Sequence, residues 1–521
     1  MSSITAEKRA IVVNGLSNAL FFVCQVAVVF FVSPLLVHGL GDSRYGAWLL
    51  VNSVLAYMAM AELGVGASVV RYVSRFEGLR DQEAINRVFS TSLFIFSCVG
   101  SLLFVVTLVL AAFWELPFGV SAEVAGDMRW LLAILGTNVA VAFPLGIYKT
   151  VLTGLARYPA VNAIRISTLL LRNALFVLLI RHGGGLPAVG LAITLGALLD
   201  HACSVLGAYY YLPGLRFSFR FVDRGTFRTI WSYSIYVFLA GIGLRVSAES
   251  NPLIIGAFLT PAAVTFFGIA ASLSNQAGDG LRTAIAVLMP TISKLDATGD
   301  TRAIRSILIT GSRYLLFLTV PVQMGLIFLG RPFLALWMGP RYAELCYPTL
   351  VILSLPLPLA LVQAMACQIL GGIGKVAGVF GVTWLQAVLG IVIGMALIRP
   401  LGIEGVAWGS VIALAVQTIV LIGMACRAVR VPISTFILRC GALPAAGACF
   451  LAVVWGLTNR WLPPISSWTA LFAIGSGGMI FYVPLVLCLD SSLRGVLRSW
   501  QGAWRTPQPS PPELPLAAEP E

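Results

Sequence analysis

The sequence predicts an all-α polytopic membrane protein of about 14 transmembrane helices, built as two pseudo-symmetric six-helix lobes plus two extra C-terminal helices. Composition is the first reason: of 521 residues, 59% are hydrophobic and only 11% are charged, and the mean hydropathy is +0.92. The second reason is that apolar runs of the roughly 20 residues needed to cross a bilayer follow one another almost end to end. The third is an internal repeat that relates the first six predicted spans to the next six.

The apolar runs divide the chain into four regions. These are an N-lobe with spans 1–6 (residues 1–211), a C-lobe with spans 7–12 (212–426), spans 13 and 14 (427–490), and a cytoplasmic tail that is first basic, then Pro-rich and disordered (491–521). We predict the spans at residues 11–37, 46–70, 88–113, 129–152, 161–181, 187–211, 230–258, 262–290, 307–330, 346–369, 376–398, 404–426, 437–457 and 467–489.

Four short matches, in the same order and at nearly constant spacing, carry the repeat. Each half contains an aromatic-glycine pair, an apolar run and a polar segment that begins with aspartate. A duplicated membrane half of this kind is common in transporters. The matching residues are Tyr45-Gly46 with Phe267-Gly268, Asp81, Ala84 and Ile85 with Asp300, Ala303 and Ile304, Arg157 with Lys375, and Gly190 with Gly405.

Topology, rather than a nucleic-acid partner, accounts for the net charge of +13. With a cytoplasmic N-terminus, most Lys and Arg residues fall in loops on the cytoplasmic side, for example in 71–87 and 216–228. Basic residues in short loops fix orientation, so both termini are predicted to be cytoplasmic, and the basic side chains to contact anionic lipid headgroups. The cysteines show no metal-ligand spacing, so we expect no metal and no cofactor.

Six segments also match the pattern of a known family in order and spacing. They read LGDSRYGAW, ELGVGASVVRYVSR, LRDQEAINRVFSTSL, GLARYPAVNAIR, LIIGAFLTPAAVTFFGIA and MPTISKLDATGDTRAIR. In these segments the chain resembles the polysaccharide-unit flippases, the O-antigen and exopolysaccharide exporters of the MATE-like superfamily. That superfamily also contains lipid II flippases and multidrug exporters. The resemblance covers the chain up to about residue 490.

The resemblance implies two six-helix lobes around a central cavity that opens alternately to each side of the membrane. It implies an undecaprenyl-diphosphate-linked oligosaccharide as substrate, flipped from the cytoplasmic to the outer leaflet of a bacterial inner membrane for polysaccharide export. Membrane lipids, a glycan polymerase and other export-system proteins are the implied partners. The family often has an acidic residue where this chain has Asn251, which leaves Glu249 as a substitute.

Ionisable residues inside the predicted spans need a partner, a wet cavity or a function, because inserting each costs at least about 2.5 kcal/mol. In span 8, Asn275, Asp279 and Arg282 share one helix face. In span 7, Arg245 and Glu249 are i, i+4 neighbours. We interpret these groups as parts of a polar cavity, with structural ion pairs that lock the two helices together as the alternative.

Arginines that bind a diphosphate through charge-assisted, often bidentate hydrogen bonds are the functional hypothesis. Arg172 lies mid-membrane without a local acid, one heptad after Arg165 on the same face of span 5. We therefore predict Arg282, Arg245 and Arg172 as diphosphate-binding residues. If an ion drives the cycle, the candidate coupling residues are Glu62, Glu249 and Asp279.

Other polar residues in the spans have simpler explanations. Lys149 and Arg313 lie near predicted cytoplasmic ends, so we expect their side chains to snorkel to the interface. The Asp200-His201 pair is consistent with a proton relay, but hydrogen bonding between helices is the favoured interpretation.

A polar stripe on span 1 suggests a wall that lines the sugar. Amide and aromatic side chains recur there at helical spacing, although amides also hold membrane helices together. The predicted sugar-lining residues are Asn14, Asn18 and Gln25 of span 1, beside Phe21, and Asn275 of span 8.

Three functions compete on these observations. A lipid-linked oligosaccharide flippase is preferred to a MATE-type multidrug or cation exporter, which predicts a mainly acidic cavity, and to a lipid II flippase. A membrane-embedded glycan polymerase or glycosyltransferase is a different class. It ordinarily needs a large external loop or a DxD-type site, and neither is visible, so we expect a transporter and not an enzyme.

Overall fold

The computed structural model describes residues 2–62, 64–113, 122–286, 288–461 and 463–490 and is almost entirely helical over them. The predicted all-α fold is confirmed. Its helices, in chain order, are α1 Ser2–Leu40, α2 Asp42–Ala59, α3 Val65–Gly78, α4 Gln82–Ala112, α5 Ala122–Gly154, α6 Tyr158–Arg181, α7 Leu186–Tyr211, α8 Arg224–Phe258, α9 Pro261–Ala286, α10 Leu288–Ala297, α11 Thr301–Ser306, α12 Ser312–Phe328, α13 Gly330–Trp337, α14 Pro340–Ser354, α15 Leu357–Gly372, α16 Val376–Leu401, α17 Ile403–Ala428, α18 Ile433–Trp461 and α19 Trp468–Leu489.

Eleven helices within the described residues are long and apolar enough to cross a membrane, and α2 with α3 makes a twelfth if they form one bent span. The predicted count of about 14 is therefore not confirmed. Helices α8 and α9 occupy the places of predicted spans 7 and 8 and are not among the eleven found over the described residues. Both carry charged side chains in mid-helix, Arg245 and Glu249 in α8 and Asp279 and Arg282 in α9.

Predicted span 2 is not one straight helix. Helix α2 is followed by a short 3-10 turn at Met60–Glu62, and α3 begins at Val65 with its axis turned by 44°. Gly64 has a left-handed backbone with φ 71°, which a continuous right-handed helix cannot contain. The sequence prediction missed this bend because the hydrophobic pattern continues through it.

The repeat appears in the structure as matching helix caps. Asp81 accepts a hydrogen bond from the backbone N–H of Ala84 at 2.9 Å at the start of α4. Asp300 accepts one from Ala303 at 3.0 Å at the start of α11. In both halves an aspartate caps the N-terminus that follows a tight turn, which explains why these residues match.

Each lobe is held by its own helix pairs. In the first lobe, α1 packs on α6, α4 on α5, and α7 on both α5 and α6. In the second lobe, α16 packs on α17 and α8, and α14 packs on α9. The lobes meet where α2 contacts α8 and α9 and where α3 contacts α8.

The connection between the lobes is fastened to α4. The buried Asn86 donates to the carbonyl of Gly214 at 3.1 Å and accepts from the backbone N–H of Arg216 at 3.0 Å. Asp223 then caps α8 by accepting from the N–H of Thr226. This backbone hydrogen bond, with a second contribution from the backbone N–H of Gly225, lowers the pKa of the Asp223 carboxyl. The linker between the lobes is therefore held in a defined conformation by hydrogen bonds to α4 and to the start of α8.

The two C-terminal helices are anchored by a buried ion pair. Arg313 of α12 donates from Nε to the carbonyl of Arg439 in α18 at 2.7 Å and from Nη1 to Asp490 at 2.9 Å. The Asp490 side chain is only 2% exposed. The expectation that Arg313 snorkels is wrong, because its charge is neutralised inside the protein where α12, α18 and the end of α19 meet.

Candidate functional site

A cavity of about 630 Å³ lies inside the first lobe. Its walls come from α1, α2, α5, α6 and α7. The residues that matter for its chemistry are aromatic rings, amides and one arginine: Phe21, Gln25, Tyr45, Trp48, Asn52, Asn138, Arg172, Asn173 and Phe176. A concave space with mostly apolar walls and a few convergent polar groups is the usual form of a ligand site.

Arg172 is the charged residue of this cavity. Its guanidinium lies over the ring of Phe176 at 6.0 Å from the ring centre, within the range of a cation–π contact. Its Nε is buried and has no hydrogen-bond partner among the described residues. The side chain passes close to Gly196 of α7, where a Cβ atom would lie 3.1 Å from the Arg172 Cβ. Helix α7 therefore holds the guanidinium toward the cavity.

The amide side chains around Arg172 use only some of their hydrogen-bonding groups within the protein. Asn138 donates to the hydroxyl of Thr194 at 2.7 Å, and Asn173 donates to the carbonyl of Leu169 at 2.7 Å. Their carbonyl oxygens remain as acceptors. The indole N–H of Trp48 is buried without a partner in the part of the chain that the structure describes. These groups form a wall that offers several polar atoms to a ligand.

The predicted sugar-lining stripe of α1 is divided between two roles. Gln25 lines the cavity. Asn18 instead accepts from Asn162 of α6 at 2.7 Å, and the backbone carbonyl of Asn14 accepts from Ser17. The alternative interpretation, that amides join neighbouring helices, therefore describes Asn18 in this structure.

A second group of charges lies at the seam between the lobes, where α2 and α8 run antiparallel. The Ser53 hydroxyl of α2 lies near the Glu249 carboxylate of α8. Further along, Tyr57 shares a hydrogen bond of 2.6 Å with Ser250. The polar contacts follow one another along the length of the two helices, so this seam is polar rather than apolar.

The seam brings together three of the predicted charged residues. The exposed Arg245 lies within electrostatic range of Glu62 of the first lobe and of Glu249 one turn away on its own helix. The Glu62 carboxylate lies against Gly66 at the start of α3, where an added Cβ would meet its Oε1. Arg245 is therefore influenced by two carboxylates, one from each lobe.

Arg282 lies apart from both of these groups. It pairs with Asp279, one turn earlier on α9, at 2.8 Å, and both side chains are about half exposed. Asn275 is exposed on the same face, one turn further back. The expected polar stripe of α9 is present, and the structure does not place it beside Arg172 or Arg245.

One end of the molecule, predicted to be external, is closed by contacts centred on Asp42. Its carboxylate accepts from the Tyr342 hydroxyl at 2.6 Å and pairs with Arg341 at 2.9 Å. Its backbone carbonyl accepts from Thr265 at 2.6 Å. These contacts join the N-terminus of α2 to α9 and α14 of the other lobe. We name this cluster of Asp42, Thr265, Arg341 and Tyr342 the Asp42 latch.

Lys149 also has a partner inside the protein. It forms an ion pair with Asp200, which joins α5 to α7 in the first lobe, and both side chains are mostly buried. The expectation that Lys149 snorkels is therefore wrong. His201 has a buried Nδ1 without a partner in the described part of the chain, so no Asp-His relay is assembled there.

Sequence reasoning did not single out several residues that the structure brings to the cavity or the latch. These are Asp42, Trp48, Asn52, Asn138 and Asn173. Asn52, Asn138 and Asn173 were visible as lone amides inside apolar runs, which is the signal that could have found them. Asp42 carried no such signal, because it appeared to lie in a loop.

Two family comparisons cover most of the chain. A sequence model of the polysaccharide biosynthesis protein family matches residues 11–296. A sequence model of the lipid II flippase MurJ matches residues 166–473. No curated protein sequence matches the chain.

Solved structures share the fold at low sequence identity. The lipid II flippase MurJ in an inward closed conformation has a TM-score of 0.73 and 15% identity, over 92% of this chain and 99% of that one. An inward-facing multidrug resistance MATE family transporter of the MOP superfamily has a TM-score of 0.68 and 15% identity, over 77% and 94%. The Vibrio cholerae MATE transporter VcmN in its bent form gives 0.55 and 15%, over 84% and 100%.

Proposed function

Because the chain belongs to the polysaccharide biosynthesis protein family and has the fold of MOP-superfamily transporters, we propose that it flips undecaprenyl-diphosphate-linked oligosaccharide from the cytoplasmic to the outer leaflet. One observation carries the proposal: the first lobe encloses a cavity whose walls combine aromatic rings, amides and an arginine. Such a wall matches a sugar better than it matches an apolar drug.

The sugar part of the substrate occupies this cavity. Rings such as Phe21 and Trp48 offer apolar faces to the C–H side of a sugar ring. The amides of Gln25 and Asn138 offer both donors and acceptors, which suits hydroxyl groups that act as both.

The diphosphate is bound by Arg282 on α9 and, at a separate point of the translocation path, by Arg245 at the seam. Arg282 already pairs with Asp279, so phosphate oxygens must replace a carboxylate oxygen there, and Arg245 lies in the field of Glu249. For Arg282 this exchange costs little, because a half-exposed ion pair contributes at most about 1 kcal/mol. A guanidinium then binds two phosphate oxygens at once.

The carboxylates at the seam connect ion binding to substrate binding. Glu62 and Glu249 compete with phosphate for Arg245. Neutralising either carboxylate with a proton or a sodium ion strengthens the phosphate contact, and by reciprocity phosphate binding favours the neutral carboxylate. Asp279 acts on Arg282 in the same way.

Transport requires the lobes, residues 1–211 and 212–426, to rock as two bodies. The substrate enters from the cytoplasmic side while the Asp42 latch is closed. Opening that latch and closing the opposite side releases the substrate to the outer leaflet. In this scheme both termini are cytoplasmic and the bilayer is the bacterial inner membrane, where a glycan polymerase and other export proteins receive the product.

A lipid II flippase is the second candidate, because the MurJ sequence model also matches more than half of the chain. Lipid II is itself a lipid-linked diphosphate sugar, so the same chemistry serves both substrates. Depletion of the protein separates the candidates: a lipid II flippase is needed for cell-wall synthesis, whereas a polysaccharide-unit flippase is needed only for the surface glycan.

The test of the proposed function is genetic complementation. In a strain without the gene, we expect the surface glycan to disappear and its lipid-linked precursor to accumulate on the cytoplasmic side. Restoring the wild-type gene should restore both. Normal surface glycan in the deletion strain, or accumulation of lipid II instead, contradicts the proposal.

A further inference from the structure

The cavity of the first lobe contains one charge and no counter-charge. Among the described residues that line it, Arg172 is the only one of the Asp, Glu, Lys, Arg and His types. The other polar lining residues are neutral amides, hydroxyls and an indole. The cavity therefore presents a single positive charge to whatever enters it.

Two other intramembrane cations of the described chain, Lys149 and Arg313, differ from Arg172 in having an ion-pair partner, and Arg245 differs in lying near two carboxylates. Lys149 and Arg313 form ion pairs with Asp200 and Asp490, whereas Arg172 has neither an ion pair nor a hydrogen bond to any described residue. Arg165, one heptad earlier, is directed at the ring of Phe21 at 5.6 Å, and its side chain is exposed and does not line the cavity.

An unpaired guanidinium at membrane depth is costly in free energy unless a ligand or water accepts hydrogen bonds from it. The contact with Phe176, at 6.0 Å, offsets part of that cost. It uses none of the guanidinium N–H groups as a hydrogen-bond donor, and Arg172 lines the cavity. Arg172 can therefore offer a two-pronged set of donors to one oxyanion in the cavity.

The number of charges selects the kind of anion. A guanidinium fork binds either a carboxylate or a phosphate through two parallel hydrogen bonds. Its single positive charge fully neutralises a carboxylate but only part of the charge of a diphosphate, so an isolated arginine suits the carboxylate better. The cavity volume of about 630 Å³ is in the range of small-molecule sites and is far larger than a halide needs. The surrounding amides and aromatic rings suit a sugar that carries the carboxylate.

We propose that the cavity of the first lobe binds an acidic sugar of the transported oligosaccharide, of the uronic acid class, with Arg172 paired to its carboxylate. This inference rests on the proposed function and adds the chemical class of the glycan. Gln25 and Asn138 bind hydroxyl groups of the same sugar, and the ring of Phe176 holds the guanidinium from its other side.

The experiment is equilibrium binding to the purified full-length protein in lipid nanodiscs. The probes are a disaccharide that contains glucuronic acid, the matching neutral disaccharide, sodium chloride and inorganic pyrophosphate. We expect the acidic disaccharide to bind at least about tenfold more tightly than the neutral one, which corresponds to about 1.4 kcal/mol. Neither chloride nor pyrophosphate should compete with it at equal concentration.

Variants then assign the preference to one side chain. Arg172→Gln should remove the preference for the acidic disaccharide while retaining the weak binding of the neutral one, which also reports a folded cavity. Arg172→Lys should retain part of the preference, because it keeps the charge without the fork. The matched control is Arg181→Gln, an exposed arginine at the end of the same helix, which should bind like the wild type.

Three results overturn the inference: equal binding of the acidic and neutral disaccharides, a preference that survives in Arg172→Gln, or competition by chloride or pyrophosphate at equal concentration. The first two show that Arg172 does not recognise a carboxylate, and the third shows a different anion. None of these results affects the complementation test, since flipping does not depend on the charge of the sugar. If the complementation test fails while Arg172 still confers the preference for the acidic disaccharide, only the transport proposal is refuted.

Discussion

The role of each intramembrane arginine depends on the carboxylates beside it. Arg313 is buried against Asp490 and serves to hold α12, α18 and α19 together. Arg282 pairs with a half-exposed carboxylate on its own helix, so it can exchange that partner for an anionic ligand at little cost in free energy. Arg172 has no acidic partner among the described residues. The three arginines therefore differ in their surroundings: one is paired and buried, one is paired and half exposed, and one lines a cavity without an acidic partner in the described chain.

Replacing Arg282 tests whether it binds the diphosphate. Arg282→Ala should reduce export roughly tenfold to a hundredfold, because a hydrogen bond to a charged group contributes about 1.5–3 kcal/mol. Arg282→Lys should be partly active, since it keeps the charge and loses the fork. Surface glycan and membrane-protein level are measured together, and Arg302→Ala, an exposed arginine on α11, is the control.

A purely structural role for Arg282 gives a different pattern. In that case Arg282→Ala lowers the amount of protein, and the double variant Asp279→Ala/Arg282→Ala recovers both amount and export. Full export by the single variant at normal protein level contradicts the diphosphate assignment.

Replacing the carboxylates at the seam tests ion coupling. Glu249→Gln keeps an acceptor for Ser53 but permanently removes a negative charge from beside Arg245. If protons drive transport, this variant and Glu62→Gln should bind substrate but lose the dependence of export on the proton gradient. Export is measured with and without an uncoupler. Wild-type export and wild-type uncoupler sensitivity in both variants and in Asp279→Asn would reduce these groups to structural partners.

At this scale the sequence predicted which residues are charged inside the membrane, but not which of them meet. Helical spacing placed Asp279 and Arg282 on one face, and the structure pairs them. The pairing of Lys149 with Asp200 and of Arg313 with Asp490 depends on how distant helices pack. That packing is a property of the tertiary fold and leaves no trace in local spacing.

Among the helices, the approach of α2 to α9 is the tightest contact between the lobes. A Cβ atom added at Gly46 would lie 1.7 Å from the carbonyl oxygen of Pro261, and one added at Gly268 would lie 2.4 Å from the side chain of Leu49. These glycines are the repeat-equivalent pair found in the sequence. The duplication therefore places a small residue on both sides of one interface, which allows the helices to touch.

Enlarging Gly46 should open the latched end. In Gly46→Ala the new methyl group meets backbone that cannot move independently, so α2 and α9 must separate. Such overpacking costs typically about 1–3 kcal/mol, enough to shift a two-state equilibrium by roughly tenfold or more toward the state open at that end. The matched control is Gly146→Ala in α5, where an added Cβ meets nothing within 4 Å.

The shift is measured by the distance between spin labels at positions 43 and 344, which are exposed on the two sides of the Asp42 latch. We expect a longer population in Gly46→Ala and an unchanged distribution in Gly146→Ala. Identical distributions in the two variants would show that the α2–α9 contact does not hold this end closed.

Sequence patterns predicted the helices better than their breaks. The repeat singles out Asp81 and Asp300, and the structure shows that each caps the N-terminus of a helix. The bend near Gly64 was hidden because hydrophobic residues continue across it, and a glycine within an apolar run does not by itself reveal its backbone conformation.

For the whole molecule, orientation in the membrane follows from the distribution of positive charge. The turns around Arg80 and Arg224 belong to the basic side, so both are predicted to face the cytoplasm, together with the two termini. Single cysteines at these positions in a cysteine-free protein should resist a membrane-impermeant thiol reagent in intact cells and react after permeabilisation. A cysteine at exposed position 341, at the Asp42 latch, should react in intact cells. The opposite labelling pattern would show that the protein has the opposite orientation in the membrane, so that the proposed direction of transport is wrong.

We propose that this two-lobed protein moves a lipid-linked oligosaccharide across a bilayer, and this transport can be measured after reconstitution. Purified protein is placed in liposomes with an undecaprenyl-diphosphate-linked oligosaccharide, and the glycan exposed to an external lectin is followed over time after the initially exposed pool has been removed. We expect glycan to reappear outside the liposomes with the wild-type protein and to reappear much more slowly with Arg282→Ala. If glycan reappears no faster with the wild-type protein than in protein-free liposomes, the protein does not flip this substrate.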